Sequence, residues 1–131
     1  MLLAVSALLI ICFSSCKKDD KKNNTLSTDP TLIRYTIHPI DEGIIDVRYN
    51  NQQGTFTIED TTGVFSDGSH QFSITSKPFP ALVGLSFEDN AFSIDEYEVS
   101  IYVNGTLKAR DTIVNSGASS IGQGYVEYTV E

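Results

Sequence analysis

Apolar and polar side chains alternate with a period of two along most of the chain after residue 30. Ile33, Tyr35 and Ile37 fall on one side of an extended segment, with polar residues between them, as in a half-buried strand. The same pattern predicts eight strands, at residues 33–37, 44–49, 55–59, 71–75, 81–88, 96–103, 106–111 and 125–130. Gly, Asn, Asp and Pro separate most of them, and no segment has a helical period. The chain is therefore predicted to be all-β, a small antiparallel β-sandwich of seven or eight short strands.

The sequence EYEVSIYVNGTLKARD, at residues 96–111, predicts a β-hairpin around Asn104-Gly105. A turn made of those two residues alone would place Ile101 and Val99 opposite basic side chains. A three-residue loop that ends in Gly105 pairs Ile101 with Leu107 instead, and this register keeps one face of the hairpin apolar. We therefore predict the three-residue loop.

The first sixteen residues differ in character from the rest of the chain. Residues 2–12 form an uncharged, mostly apolar run, which is as long as a signal-peptide core and too short to span a bilayer as a helix. The run ends in Phe13-Ser14-Ser15-Cys16, which resembles a lipobox, and the resemblance implies that Cys16 is acylated and becomes the mature N-terminus. We predict a lipoprotein signal peptide at residues 1–15, a lipidated Cys16 with a flexible polar tether at residues 16–30, and a β-sandwich domain at residues 31–131.

The charged stretch that follows Cys16 begins Lys17-Lys18-Asp19-Asp20. It is similar to the segment after the acylated cysteine in Bacteroidota-type lipoproteins that are exported to the cell surface. The resemblance implies a lipoprotein of the cell envelope, anchored in the outer membrane by acyl chains such as palmitate, with its domain facing outward. More than one acyl chain is what stable attachment to a membrane requires.

A second resemblance lies in the hairpin. A strand of the type V-x-I-Y-V-x-G-x-L is found in the C-terminal half of the MmpS-like β-sandwich domain, and the residues that match it here are Val99, Ile101, Tyr102, Val103, Asn104, Gly105 and Leu107. Upstream, VRYNNQQGT at residues 47–55 resembles a turn of the same family. The resemblance implies an immunoglobulin-like sandwich and an accessory role beside lipid-exporting transporters of the resistance-nodulation-division type.

Charge and cysteine content exclude several classes of function. The chain has 9 Lys and Arg residues against 17 Asp and Glu residues, a net charge of −8, which would repel a phosphate backbone. We therefore expect no nucleic-acid partner. Both cysteines, Cys12 and Cys16, precede the predicted domain, which leaves it without a disulfide or a thiolate metal site.

Residues that could carry catalysis are scarce. The only histidines, His38 and His70, are far apart in sequence. No serine lies in a Gly-x-Ser-x-Gly elbow, and the chain has no glycine-rich loop that would bind phosphate. We predict no enzyme activity, no cofactor and no metal.

Six aromatic residues share faces with aliphatic ones and are predicted to be core: Tyr35, Tyr49, Phe56, Phe72, Phe87 and Tyr97. Four fall on opposite faces or in loops and are candidates for a ligand surface: Tyr102, Tyr125, Phe65 and Phe79.

Three classes of function remain open at this point. The first is an accessory or interaction module of the cell envelope, held at the membrane by its N-terminal lipid and bound to an envelope protein. The second is a surface module that binds carbohydrate or another ligand, and the third is a small enzyme. We favour them in that order, and the sequence does not indicate an oligomeric state.

Overall fold

A computed structural model of the protein describes residues 29–40, 43–60, 63–88, 96–114 and 121–131. These residues form eight β-strands and no helix. The strands are β1 (Thr31–His38), β2 (Ile44–Asn50), β3 (Phe56–Glu59), β4 (Ser69–Ile74), β5 (Phe79–Glu88), β6 (Glu96–Val103), β7 (Thr106–Val114) and β8 (Ile121–Val130). Each of the eight predicted strands is present: six are longer than predicted by one to four residues, β6 has the predicted bounds, and β3 is one residue shorter.

The strands pair into two four-stranded antiparallel sheets. Sheet A has the order β4-β1-β6-β7, and sheet B has the order β3-β2-β5-β8. Two hairpins, β2–β3 and β6–β7, stay within a sheet, whereas every other connection crosses from one sheet to the other. The prediction of a small antiparallel β-sandwich is confirmed.

The core lies between the inward faces of the two sheets. Alternate residues of β1 are buried, and so is the row of Ala81, Val83, Leu85 and Phe87 on β5. Full burial of an aliphatic or aromatic side chain of this size stabilises the fold by about 1.5–3 kcal/mol. Five of the six aromatic residues predicted for the core are buried or pack against it: Tyr35, Tyr49, Phe72, Phe87 and Tyr97. The prediction is wrong for Phe56, which is exposed.

The β6–β7 hairpin turns in two residues rather than three. Val103 pairs with Thr106, and both Asn104 and Gly105 have positive φ angles, 50° and 77°. Asn and Gly are favoured at these two positions because they tolerate that conformation. The turn is also tied to β1, since the Asn104 side chain accepts a hydrogen bond from Leu32 N at 2.9 Å and Asn104 N donates one to Leu32 O at 2.8 Å.

A β-bulge corrects the register that this short turn would otherwise impose. Tyr102 pairs with Leu107, but the next residue of β6, Ile101, pairs with Ala109, which leaves Lys108 as the extra residue. The bulge keeps Ile101 and Ala109 on the inner face, whereas Leu107 points outward. The predicted three-residue loop is wrong because the bulge, and not the length of the turn, keeps the apolar face continuous.

The predicted signal peptide, Cys16 and the tether up to residue 28 lie outside the described residues. Within the described ranges, no helix is long and apolar enough to cross a membrane.

Candidate functional site

The structure separates the two tyrosines that were predicted to form a ligand surface. Tyr102 belongs to β6 in sheet A, and Tyr125 belongs to β8 in sheet B. Both alternate with inward-facing residues, and they therefore lie on the opposite outer faces of the sandwich. A single ligand surface cannot include both side chains.

Tyr102 is half-buried by polar neighbours. The guanidinium carbon of Arg34, on the adjacent β1, lies 4.3 Å from the centre of its ring, in a cation–π contact. Further along the same face, an exposed ion pair joins Arg110 Nη1 to Glu98 Oε2 at 3.3 Å. One ion pair and one cation–π contact thus lie on the outer face of sheet A, and one side of the Tyr102 ring is already occupied.

Phe65 and Phe79 are not surface residues, and the prediction that they are candidates for a ligand surface is wrong. Phe65 lies in the turn between β3 and β4 and Phe79 is the first residue of β5, but both side chains are buried in the core. The ring of Phe65 contacts Tyr49 at a centroid distance of 5.1 Å, and the ring of Phe79 contacts Phe72 at 5.9 Å. The free energy gained by burying an aromatic ring outweighs the position of Phe65 in a turn and of Phe79 at the start of a strand.

The buried aromatic cluster around Phe65 includes three groups that can ionise. Burial, the charge of Glu59 and a hydrogen bond to its carboxylate all raise the pKa of Tyr49. Burial lowers the pKa of His70, and the negative charge of Glu59 opposes part of that shift. Burial likewise raises the pKa of Tyr35, whose hydroxyl donates a hydrogen bond to the Asn50 carbonyl oxygen at 2.9 Å. All three shifts favour the uncharged form of the side chain.

The two histidines have different surroundings. His38 is exposed at the end of β1, whereas His70 is half-buried among aromatic rings on β4. In the part of the chain that the structure describes, no three His, Cys, Asp or Glu side chains gather as metal ligands would.

A shallow depression of about 350 Å³ surrounds Tyr125, and we call it the Tyr125 depression. Arg48, Asp111, Gln123, Gly124 and Tyr125 line it. The Tyr125 side chain is 61% exposed, and Arg48 Nη1 donates a hydrogen bond to Gln123 Oε1 at 2.8 Å. Three strands, β2, β7 and β8, supply these side chains to one place.

Gly84 on β5 makes the geometry of this depression possible. It pairs with Arg48 on one side and with Tyr125 on the other. A Cβ atom at position 84 would collide with the Gly124 carbonyl oxygen and would lie 2.5 Å from Tyr125 Cβ. Because that position has no side chain, Arg48 can extend across β5 and reach Gln123 on β8.

A second feature of sheet B is a line of exposed apolar side chains on and beside the edge strand β3. Phe56 is 51% exposed, Ile58 is 50% exposed and Val64, in the following turn, is 44% exposed. Val64 N donates to Glu59 Oε1 at 3.3 Å, which holds the turn against the end of β3. We call Phe56, Ile58 and Val64 the β3 ridge.

The exposure of Phe56 has a structural cause that the sequence pattern did not reveal. The inward positions of β3 belong to Thr57 and Glu59, whose Cα partners on β2 are the buried Tyr49 and Val47. Phe65 packs against Tyr49 and fills the core beneath β3. The apolar residues of β3 therefore face outward, although alternation alone had assigned Phe56 to the core.

No protein-family model and no curated protein sequence matches this chain. The resemblances to MmpS-like domains and to Bacteroidota-type lipoproteins therefore stay predictions.

Proposed function

We propose that this protein is a lipid-anchored lipoprotein of the cell envelope whose β-sandwich is a non-catalytic accessory or interaction module. Its partner is an envelope protein, which binds along β3. The observation that carries the proposal is the β3 ridge, where three apolar side chains on or beside one edge strand are about half exposed. Clustered apolar side chains at a surface are typical of protein interfaces.

Strand addition is the mode of binding that this edge favours. β3 pairs with β2 on one side, and on its other side it is the last strand of sheet B. An edge strand offers backbone donors and acceptors to a further strand, and side chains on one face then provide specificity. The partner would present an extended segment with apolar residues at alternate positions, facing Phe56 and Ile58.

Charge limits the class of partner further. The chain has a net charge of −8. It would repel a partner whose surface is also acidic, over a Debye length of about 8 Å at physiological salt. The partner segment is therefore neutral or basic. The same repulsion works against a second copy of this chain as the occupant of β3.

Photo-crosslinking in intact cells tests the proposal. A benzoyl-phenylalanine in place of Ile58 is expected to form an adduct with one envelope protein, at an extended segment identified by mass spectrometry. The same residue in place of Leu107 is the matched control, because Leu107 is similarly exposed, at 42%, but lies on sheet A.

A substitution provides the second arm of the experiment. With the crosslinker moved to Val64, Ile58→Asp is expected to lower the adduct yield about tenfold, because it places an unpaired charge in an apolar contact. Leu107→Asp should leave the yield unchanged. Equal adducts from positions 58 and 107, or adducts with a second copy of this chain alone, would contradict the proposal.

A further inference from the structure

The Tyr125 depression is separate from the β3 ridge and differs from it in chemistry. It lies toward the opposite edge of sheet B, where β8 is the edge strand and β7 of sheet A packs nearby. Its lining combines one exposed aromatic ring with a guanidinium, a carboxylate and a carboxamide, those of Arg48, Asp111 and Gln123. Hydrogen-bond donors and acceptors are thus both present in one small space.

The polar groups of the depression keep donors and acceptors that could bind a ligand. Arg48 and Asp111 line the same depression, yet no ion pair within 4.0 Å joins these two side chains. Gln123 accepts the Arg48 hydrogen bond through Oε1. The two N–H groups of the same amide are therefore left as donors.

Tyr125 supplies the apolar part of the site. Its neighbour across the sheet is Gly84, and its ring stands 61% exposed beside the polar groups instead of packing against another side chain of that row. An exposed aromatic ring with an adjacent polar rim offers a stacking surface to a flat, apolar ring face and hydrogen bonds to the edge of that ring.

We infer that the Tyr125 depression binds one ring of a neutral saccharide. One face of a pyranose is lined with C–H groups, and this face stacks on the ring of Tyr125. Vicinal hydroxyls both donate and accept hydrogen bonds, and they bind Arg48, Asp111 and Gln123. An anionic ligand fits less well because the carboxylate of Asp111 repels it. A purely apolar ligand would cover the N–H groups of the Gln123 amide and the second carboxylate oxygen of Asp111 without offering them hydrogen bonds.

The depression has room for little more than one sugar ring. A volume of about 350 Å³ is at the small end of the range for ligand sites, and the site is shallow. One stacked ring and a few hydrogen bonds open to solvent support a dissociation constant on the order of 1 mM. Several copies on one cell surface would raise the avidity for a polysaccharide.

Saturation-transfer NMR on the purified full-length lipoprotein in detergent tests the inference. The probes are the neutral hexasaccharides of glucose, mannose, xylose and N-acetylglucosamine, with hexagalacturonate as the anionic comparison. At least one neutral probe is expected to receive saturation, with a dissociation constant of roughly millimolar size.

Two matched variants locate the binding. Tyr125→Ala is expected to weaken binding at least about tenfold, because it removes the stacking ring, and Arg48→Gln is expected to weaken it less. Tyr102→Ala, on the other outer face, should leave binding unchanged. Circular dichroism of each variant confirms that it is folded.

The inference is overturned if no neutral probe binds at concentrations on the order of 10 mM, if only hexagalacturonate binds, or if Tyr102→Ala and Tyr125→Ala act alike. These outcomes are independent of the crosslinking experiment, because that experiment uses Ile58 and Val64 and detects a protein. Failure at one site therefore leaves the result at the other unaffected.

Discussion

His70 lies in surroundings that differ strongly from water. Its ring lies 5.2 Å from that of Phe72, 5.3 Å from that of Tyr49 and 5.5 Å from that of Phe65. Burial favours the uncharged imidazole and lowers the pKa of His70 below its usual value of 6.5. A protonated ring would be poorly solvated among these neighbours.

A pH dependence of stability follows from this lowered pKa. Between the folded and the unfolded pKa of His70 the unfolded chain binds more protons, and stability therefore rises with pH. The contribution of the neutral His70 to the free energy of unfolding is complete above about pH 6.5, and it is lost as the pH falls through the pKa of His70 in the folded protein. Urea denaturation from roughly pH 7.5 to 5.5 should show a smaller decline in unfolding free energy for His70→Gln than for the wild type.

His38→Gln is the control for this measurement, because His38 is exposed at the end of β1. It should keep the decline seen in the wild type. If His38→Gln flattened the profile and His70→Gln did not, the assignment to His70 would be wrong.

Among the elements, the turn between β3 and β4 is part of the core rather than a plain connection. Its backbone closes through hydrogen bonds from Ser66 N to Gly63 O at 3.2 Å and from Gly68 N to Phe65 O at 2.8 Å. It also joins sheet A, since Ile37 N donates to Gly68 O at 2.8 Å. The turn thereby fixes Phe65 between the sheets.

Adjacent residues in this turn should respond very differently to truncation. Phe65→Ala removes a fully buried ring and leaves a cavity beside Tyr49, and we expect a loss of about 3–5 kcal/mol in unfolding free energy. Val64→Ala should change it by no more than about 0.5 kcal/mol, because Val64 is exposed. Urea denaturation of both variants decides the matter, and similar losses would show that the turn does not anchor the core.

At the scale of the whole molecule, the two outer faces of the sandwich are not equivalent. Sheet A presents the Arg34–Tyr102 contact and the exposed Glu98–Arg110 ion pair, which contribute little to stability. Sheet B presents the β3 ridge and the Tyr125 depression. Both proposed recognition sites therefore involve sheet B.

The proposed attachment to the membrane can be tested on the two cysteines. In cells labelled with an alkyne analogue of palmitate, Cys16→Ser should abolish labelling and release the protein from the membrane fraction, because no acyl chain remains to anchor it. Cys12→Ser is the matched control and should keep both the label and the membrane location. Labelling that survives Cys16→Ser would refute the lipid anchor.

The sequence by itself determined where the strands lie and which of their residues face inward in most cases. Side chains alternate across a strand for local, geometric reasons, and rows such as Ile33, Tyr35 and Ile37 therefore identify their own buried face. For the same reason the all-β class and the eight strands could be predicted from the sequence. The proposed lipid anchor at Cys16 is supported only by the resemblance of residues 13–16 to a lipobox.

Tertiary structure decided which faces meet and which residues lie together. The sequence pattern predicts an outward position for both Tyr102 and Tyr125, but the order of strands places them on opposite sides of the sandwich. Phe65 takes the space beneath β3 and leaves Phe56 outside, and the Tyr125 depression exists because Gly84 lets Arg48 reach Gln123. These outcomes depend on pairing between segments that are distant along the chain, which no local pattern of polarity encodes.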